Sequence, residues 1–429
     1  MAQVFFDMLY SFGSCFNCLP GSPTVKVNNR NLKILRLLGE GGFSYVYLVQ
    51  DTATSELFAL KKIRCPFGAE SVAQAMKEVE AYKLFARAPG IIHSIDYSIA
   101  TERGSPAGGN LGDAGGAGPA KTVYILLPYY RRGNLQDAIN ANLVNHTRFP
   151  ERHLMLLFLG VCRALRHMHK YDPADAAERM ELPASASASQ HVGDGADENV
   201  EVAKGRKARR TRRADVEDET EQQRPLMEGE DRGPGAGEGR SYAHRDIKPG
   251  NIMISDSGSD PILMDLGSVA PSPLAITSRA QAIAAQDAAA EHSTMPYRAP
   301  ELFDVKTGAV LDGRADVWSL GCTLFACLVG RSPFEMRSDE TGGSLSLCVL
   351  GGDWRFPDEK PGGGAAKKKN VAAAAEGAAA ADGEYRISEP VREVVRRCLR
   401  VEPSERPDID ELIDMVERVI EELPEDDAP

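Results

Sequence analysis

Basic residues are outnumbered in this chain: 50 Lys and Arg stand against 62 Asp and Glu over 429 residues, a formal charge of −12. Nucleic acid is therefore not expected as a main partner, because phosphate contacts need a basic surface. Long apolar runs are missing too, and none approaches the roughly 20 residues that a membrane span requires. The eight cysteines are scattered without framework spacing, which points to reduced thiols in a cytosolic setting. The first residues lack a basic stretch and carry Asp7, so no cleavable signal peptide is expected. No internal repeat is evident.

Apolar residues make up 42% of the chain, enough for a sizeable core. They are unevenly placed. Residues 1–20 are apolar and aromatic, with Cys15 and Cys18 near their end. Strand-like runs follow at Leu32–Leu38, Tyr45–Val49 and Phe58–Ile63, then a helix over 71–86 with Ser71 as its cap. A Gly/Ala-rich loop insertion occupies about 101–120, a short strand Val123–Leu127, and a strongly apolar helix 151–170 with Pro150 near its start. Residues 172–240 run Ala/Ser-rich, basic, acidic and then Gly-rich, with too few apolar side chains to offset the entropy of ordering. A second such break spans about 358–385. Helices are expected at 390–400 and 408–422, before an acidic tail at 423–429. One large domain with disordered insertions is the reading that fits.

Four motifs carry chemistry. The first is Gly39-Glu40-Gly41-Gly42-Phe43-Ser44-Tyr45-Val46, between two strands. Glycines there let backbone N–H groups approach a phosphate chain. An ordinary hairpin turn is the plain alternative, since Ser44 stands at the third glycine of G-x-G-x-x-G. A dinucleotide fold is disfavoured because a strand follows, not a helix. The second is Phe58-Ala59-Leu60-Lys61, which matches V-A-I-K in type. Lys61 needs a counter-ion on the next helix, where Glu78 and Glu80 compete; two positions apart, they face differently, and Glu78 is preferred.

The third motif is the most specific: His244-Arg245-Asp246-Ile247-Lys248-Pro249-Gly250-Asn251, matching H-R-D-L-x-x-x-N. Asp246 would accept a hydroxyl proton, Lys248 would neutralise phosphoryl charge and Asn251 would hold a metal ion. Phosphoryl transfer asks for positioning and charge neutralisation, which explains this residue mix. The fourth, Asp265-Leu266-Gly267, follows a strand; its carboxylate suits Mg²⁺ (or Mn²⁺), which takes one or two carboxylates plus substrate oxygens. A strand-end turn is its plain alternative. Downstream come Thr294-Met-Pro-Tyr297-Arg-Ala299-Pro300-Glu301, Asp316-Val-Trp318 and Arg406-Pro407.

In this order the motifs resemble the eukaryotic protein kinases, over roughly residues 30–422 less the insertions. The resemblance implies an α+β, bilobal fold: a five-stranded, one-helix N-lobe (30–128), a hinge (128–133) and a helical C-lobe (134–422). ATP would lie between them, against Gly39–Ser44, Val46, Ala59, Lys61, a gatekeeper Leu127 and the hinge residues Pro128 and Tyr130. It implies serine/threonine specificity through Thr294, a buried Glu301–Arg406 ion pair, and Asp316 as brace of the catalytic loop. Protein substrates are the implied partners. A scaffold that binds nucleotide without catalysis is the competing class, but it predicts loss of Lys61, Asp246 or Asp265, and all three are present.

Gly39–Val46, Tyr242–Asp246, Met264–Ser268 and Tyr297–Phe303 resemble more narrowly the Numb-associated kinases, nearest their myristoylated and palmitoylated branch. That branch implies peripheral attachment to Golgi, endosomal or vacuolar membranes and an extra helix in the activation segment, for which Arg279–His292 is suited. Myristoylation needs glycine after the initiator methionine, and Ala2 stands there; Cys15 and Cys18, in the 1–29 segment, are the remaining acylation candidates. The basic run 204–213 reads as a solvated charge block, with nuclear or anionic-lipid targeting as the alternative. His167 and His169 read as plain helix residues.

Overall fold

Alternating apolar and polar side chains build the first half of the molecule. The computed structural model describes residues 23–101, 121–172, 241–359 and 386–425. Strands β1 (Thr24–Val27), β2 (Arg30–Glu40), β3 (Ser44–Asp51), β4 (Leu57–Cys65), β5 (Asp96–Thr101) and β6 (Lys121–Pro128) form one antiparallel sheet in the order β1-β2-β3-β4-β6-β5. On one face, Val27, Leu32, Val49, Phe58, Leu60 and Leu126 form a small separate core. The sheet thus has six strands, not five. The extra strand, β1, falls inside the segment 1–29 set aside at the N-terminus. Its four residues are too few for a period of two to stand out, yet Val27 is fully buried.

Helix α1 (Ala69–Leu84) packs on β4 and β6. Its cap is Gly68, at φ 67°, rather than Ser71. Ser71 sits inside the first turn, where its hydroxyl accepts from Phe67 N at 3.0 Å and donates to Gly68 O at 3.2 Å. A glycine free to take positive φ starts the helix two residues before the serine.

The second half is helical: α2 (Leu135–Asn145), α3 (Glu151–His169), α4 (Arg279–His292), α5 (Arg314–Val329), α6 (Pro333–Thr341), α7 (Leu345–Gly351), α8 (Glu389–Cys398) and α9 (Ile409–Glu422). Short strands β7 (Ser241–Ala243) and β10 (Ala270–Ser272) pair with each other, as do β8 (Ile252–Ile254) with β9 (Pro261–Leu263) and β11 (Leu274–Ala275) with β12 (Val310–Leu311). Helix α5 is largely apolar and buried on every side from Ala315 to Leu328, as expected of a helix at the centre of a core. Gly321 lets α8 close on it, since a Cβ there would lie 2.6 Å from Cys398 Cβ. Among the described residues no single helix is long and apolar enough to cross a membrane.

The expected insertions fall largely outside the described residues. Where the chain leaves after Asp172 and returns at Ser241, its two ends are tied together: Ser241 Oγ donates to His169 O at 2.7 Å, and the Tyr171 and Tyr242 rings meet edge to face at 5.5 Å. Joined ends let a long loop lengthen at little further entropic cost. The later insertion starts further on than 358, because Asp358 and Glu359 are ion-paired to Arg392 and Arg396. Helix α4 spans Arg279–His292, the span suited to the extra helix that the resemblance implied, with Ser278 Oγ accepting from Gln281 N at the N-terminus.

Candidate active site

Two acidic clusters face each other across the junction of sheet and helices. The first is centred on Lys61 of β4. Register places Lys61 opposite Val46 and Ile125, and its Nζ reaches Glu78 Oε1 of α1 at 2.7 Å and Asp265 Oδ1 at 2.9 Å. Glu80, the competitor, turns away and leaves a buried Oε2 without a partner among the described residues. Burial opposes the charge on Lys61, but Asp265 and Glu78 outweigh it, so the amine stays protonated well above its ordinary value. Lys61 in turn holds the Asp265 carboxyl at about 2. Burial pushes Glu78 up, against the pull of Lys61.

Two further residues brace this cluster. Tyr82, one turn along α1, donates from its buried hydroxyl to Glu78 Oε1 at 3.0 Å. Gly267 passes close enough that a Cβ would sit 3.3 Å from Glu78 Oε2, a tight fit for any side chain at the third place of that motif.

The second cluster is centred on Asp246. Its Oδ1 accepts from Thr294 N (2.9 Å) and Thr294 Oγ1 (2.8 Å); its Oδ2 accepts from Lys248 Nζ (2.8 Å) and Asn251 Nδ2 (3.0 Å). Lys248 Nζ also donates to Thr294 Oγ1 at 2.7 Å. The loop bearing Asp246 is fixed from below by Asp316 of α5, which accepts from His244 N (2.8 Å) and Arg245 N (2.7 Å). His169 shares that carboxylate, with Nε2 2.9 Å from Asp316 Oδ2. Sequence reading treated His169 as a plain helix residue; its partner lies 147 residues away, beyond any local signal.

Backbone strain gathers here. Arg245 at φ 70° and Asp265 at φ 62° are non-glycine residues in the left-handed region. Each such residue costs about 1–3 kcal/mol and persists only where its surroundings over-determine it. The Asp316 carboxylate fixes the first, and Lys61 fixes the second.

Between the clusters lies a cavity of about 810 Å³, lined among others by Ser44, Lys61, Glu78, Asp246, Asp265 and Thr294. Phe43, 54% exposed at the glycine turn, meets Phe67 edge to face at 6.1 Å and also lines it. The glycine turn closes by Gly41 N donating to Ser44 O at 2.8 Å, and Gly39 and Gly42 border open space. Leu127 is buried opposite Ala59, with Pro128 ending β6 and Tyr130 half-buried beyond. This hinge group is outside the cavity's lining.

The donor set suits a hard divalent cation shared with substrate. Asn251 uses its Nδ2 on Asp246 O (2.8 Å) and Oδ2, leaving its amide oxygen free of donors among the described residues. Asp265 gives only Oδ1 to Lys61. Among the described residues no three His, Cys, Asp or Glu side chains converge, so there is no all-protein cage of the zinc type. One carboxylate and one amide oxygen, completed by phosphate oxygens, is the arrangement that Mg²⁺ favours.

Farther off, Arg406 meets Glu301 in a two-pronged pair at 2.7 and 2.8 Å. Cys15 and Cys18 lie outside the described residues.

The sequence matches the family described as protein kinase domain over residues 32–172 and 239–416. Among curated proteins, it is 33% identical to serine/threonine-protein kinase ENV7 of Saccharomyces cerevisiae, covering 92% of this chain and 93% of that one. It is 30% identical to serine/threonine-protein kinase ppk13 of Schizosaccharomyces pombe, covering 92% of each. It is also 30% identical to human serine/threonine-protein kinase 16, covering 77% of this chain and 80% of that one. A match over most of the chain, on a fold that joins a lysine-bearing sheet to a helical base through two acidic clusters, makes this chain a member of the protein kinase family.

Proposed function

We propose that this protein is a serine/threonine kinase that transfers the γ-phosphoryl group of ATP to protein hydroxyls with Mg²⁺, or Mn²⁺ in its place. The observation that carries the reading is that both halves of the site are assembled at once. Lys61 bridges Glu78 and Asp265, while Asp246 is engaged by Thr294, Lys248 and Asn251. A bound ATP–metal complex supplies the phosphoryl group and spreads its charge. Lys61, Asp265 and Asn251 hold that end, and the glycine turn covers it. Asp246 takes the proton of the acceptor hydroxyl, Lys248 offsets charge beside it, and Thr294 places a serine or threonine rather than a longer phenol.

Incubation with labelled ATP and Mg²⁺ should label the protein itself and a generic basic protein on serine or threonine. Chelation should abolish the label, and restored Mg²⁺ should return it. Nucleotide binding without transfer would instead favour a scaffold.

The motif resemblance and helix α4 support a finer placement among the Numb-associated kinases, in their myristoylated and palmitoylated branch. Acylation of Cys15 and Cys18 beside an apolar stretch is the anchor we propose. Two chains are needed for stable attachment. The site of action is then the cytosolic face of Golgi, endosomal or vacuolar membranes. The double variant Cys15→Ser/Cys18→Ser should move from the membrane to the soluble fraction, and unchanged fractionation would refute the anchor.

A further inference from the structure

Helix α4 is held by a thin apolar stripe. Of its 14 residues only Ala282 is buried, with Ala285 and Ala289 partly buried against the core, and short helices take most of their stability from an apolar face packed on the core. Its two ends must therefore do more of the holding. Ser278 serves the first end. At the other end the last carbonyls have no partner within the helix and carry the negative end of its dipole.

Arg298 meets that need. Its Nε donates to Ser293 Oγ at 2.7 Å, and a terminal nitrogen donates to Ser293 O at 3.1 Å and Ala290 O at 3.4 Å. Ser293 Oγ passes the contact on by donating to Ala289 O at 2.6 Å. Arg298 is 8% exposed, its guanidinium lies 5.0 Å from the Phe303 ring centre, and it forms no close ion pair among the described residues. Burying a cation is costly unless charges or fixed dipoles compensate; here burial works against the charge, and the Asp246 carboxylate nearby and the end of α4 work for it. The adjoining residue is Thr294, whose N–H and hydroxyl both donate to Asp246 Oδ1. One peptide unit thus separates the atoms that Arg298 holds from the residue that grips the proposed base.

We propose that Arg298 is a positioning residue: by capping α4 it sets Ser293, and through it Thr294, where the acceptor end of the site is aligned with Asp246. This inference rests on the kinase reading. It divides the site, because Arg298 acts on the acceptor end and leaves the nucleotide end, built on Lys61 and Asp265, alone. The related contact of His292 with Gln74 of α1, at 3.4 Å, shows the same helix end lying against the wall of the cleft.

The test is steady-state transfer to a serine peptide, together with the Kd for MgADP by calorimetry, for the wild type, Arg298→Met and Arg298→Lys. Misplacing reacting groups by about 1 Å costs on the order of a hundredfold, so Arg298→Met should lose about that in kcat while binding MgADP within about twofold of wild type. Arg298→Lys, which keeps a cation and donors at the helix end, should recover about tenfold. A methionine variant with kcat and peptide KM within about threefold of wild type would overturn the proposal, as would parallel loss of MgADP binding with no rescue by lysine. If Arg298→Met does not fold, Ser293→Ala removes the relay without burying a new charge. It should lower kcat about tenfold at constant MgADP affinity, and unchanged kcat would overturn the proposal. Absence of transfer by the wild type would sink the kinase reading and this inference with it, whereas an active wild type matched by Arg298→Met would sink this inference alone.

Discussion

Asp246→Asn should lower the rate of phosphoryl transfer about a thousandfold, near the middle of the range for losing a positioned general base. The four donors around the carboxylate make the effect asymmetric. Oδ1 faces two donors of Thr294, and Oδ2 faces Lys248 and Asn251. An asparagine must turn its NH₂ group toward one of these pairs, setting donor against donor. It also removes the charge that balances Lys248, so that the ammonium swings from its 2.7 Å contact with Thr294. The nucleotide end is spared, because Lys61 keeps both Glu78 and Asp265. The expected result is therefore a fall in kcat, about 4 kcal/mol at 1.4 kcal/mol per decade, with ADP affinity preserved. If ADP affinity falls equally, Asp246 serves the nucleotide end and the assignment of a base is wrong.

Legibility in the sequence followed the distance between partners. The run from His244 to Asn251 was readable because its roles sit within eight consecutive residues, and its geometry is local: Asn251 and Lys248 both turn back on Asp246. Two positions on a helix cannot share a face, so only one of Glu78 and Glu80 could serve Lys61, and the distance to the Leu84-Phe85 pair that ends the helix favoured Glu78. Helix α4 was expected because the resemblance implied an extra helix in the activation segment, and the Ala/Gln-rich span Arg279–His292, without a breaker, suited it. The misses have equally physical causes. Strand β1 is too short to display alternation. Ser71 has the right chemistry for a cap, but Gly68 starts the helix first. Tyr82 lies four residues from Glu78, a spacing that could have exposed it, yet a tyrosine on a helix more often signals core. His169 and Arg298 act on partners fixed only by folding, across 147 residues in one case and around a helix end in the other.

The Glu301–Arg406 pair ties catalysis to stability. Arg406 has no exposed side-chain surface. Besides its two bonds to Glu301, it donates to the carbonyls of Arg400 (2.7 Å), Val401 (2.8 Å) and Arg314 (3.0 Å), and it lies 4.9 Å from the Trp318 ring centre. It thereby joins the end of the Thr294–Glu301 segment to α5 and to the loop before α9. Arg406→Ala would leave a largely buried carboxylate and three carbonyls without donors. Removing one partner of such a pair costs about 3–5 kcal/mol, or about 10 °C in the unfolding midpoint at 2–4 °C per kcal/mol. Because the segment so released carries Thr294, activity should fade at temperatures below the midpoint. The double variant Glu301→Leu/Arg406→Met decides what the pair contributes. Replacing both charges by apolar side chains of similar size removes the unpaired carboxylate, and buried pairs so replaced often lose little stability. The double variant should therefore be clearly more stable than Arg406→Ala. If instead it is equally unstable, the cost lies in the three carbonyls, which neither leucine nor methionine can serve, and Arg406 is then chiefly a backbone anchor with Glu301 neutralising it.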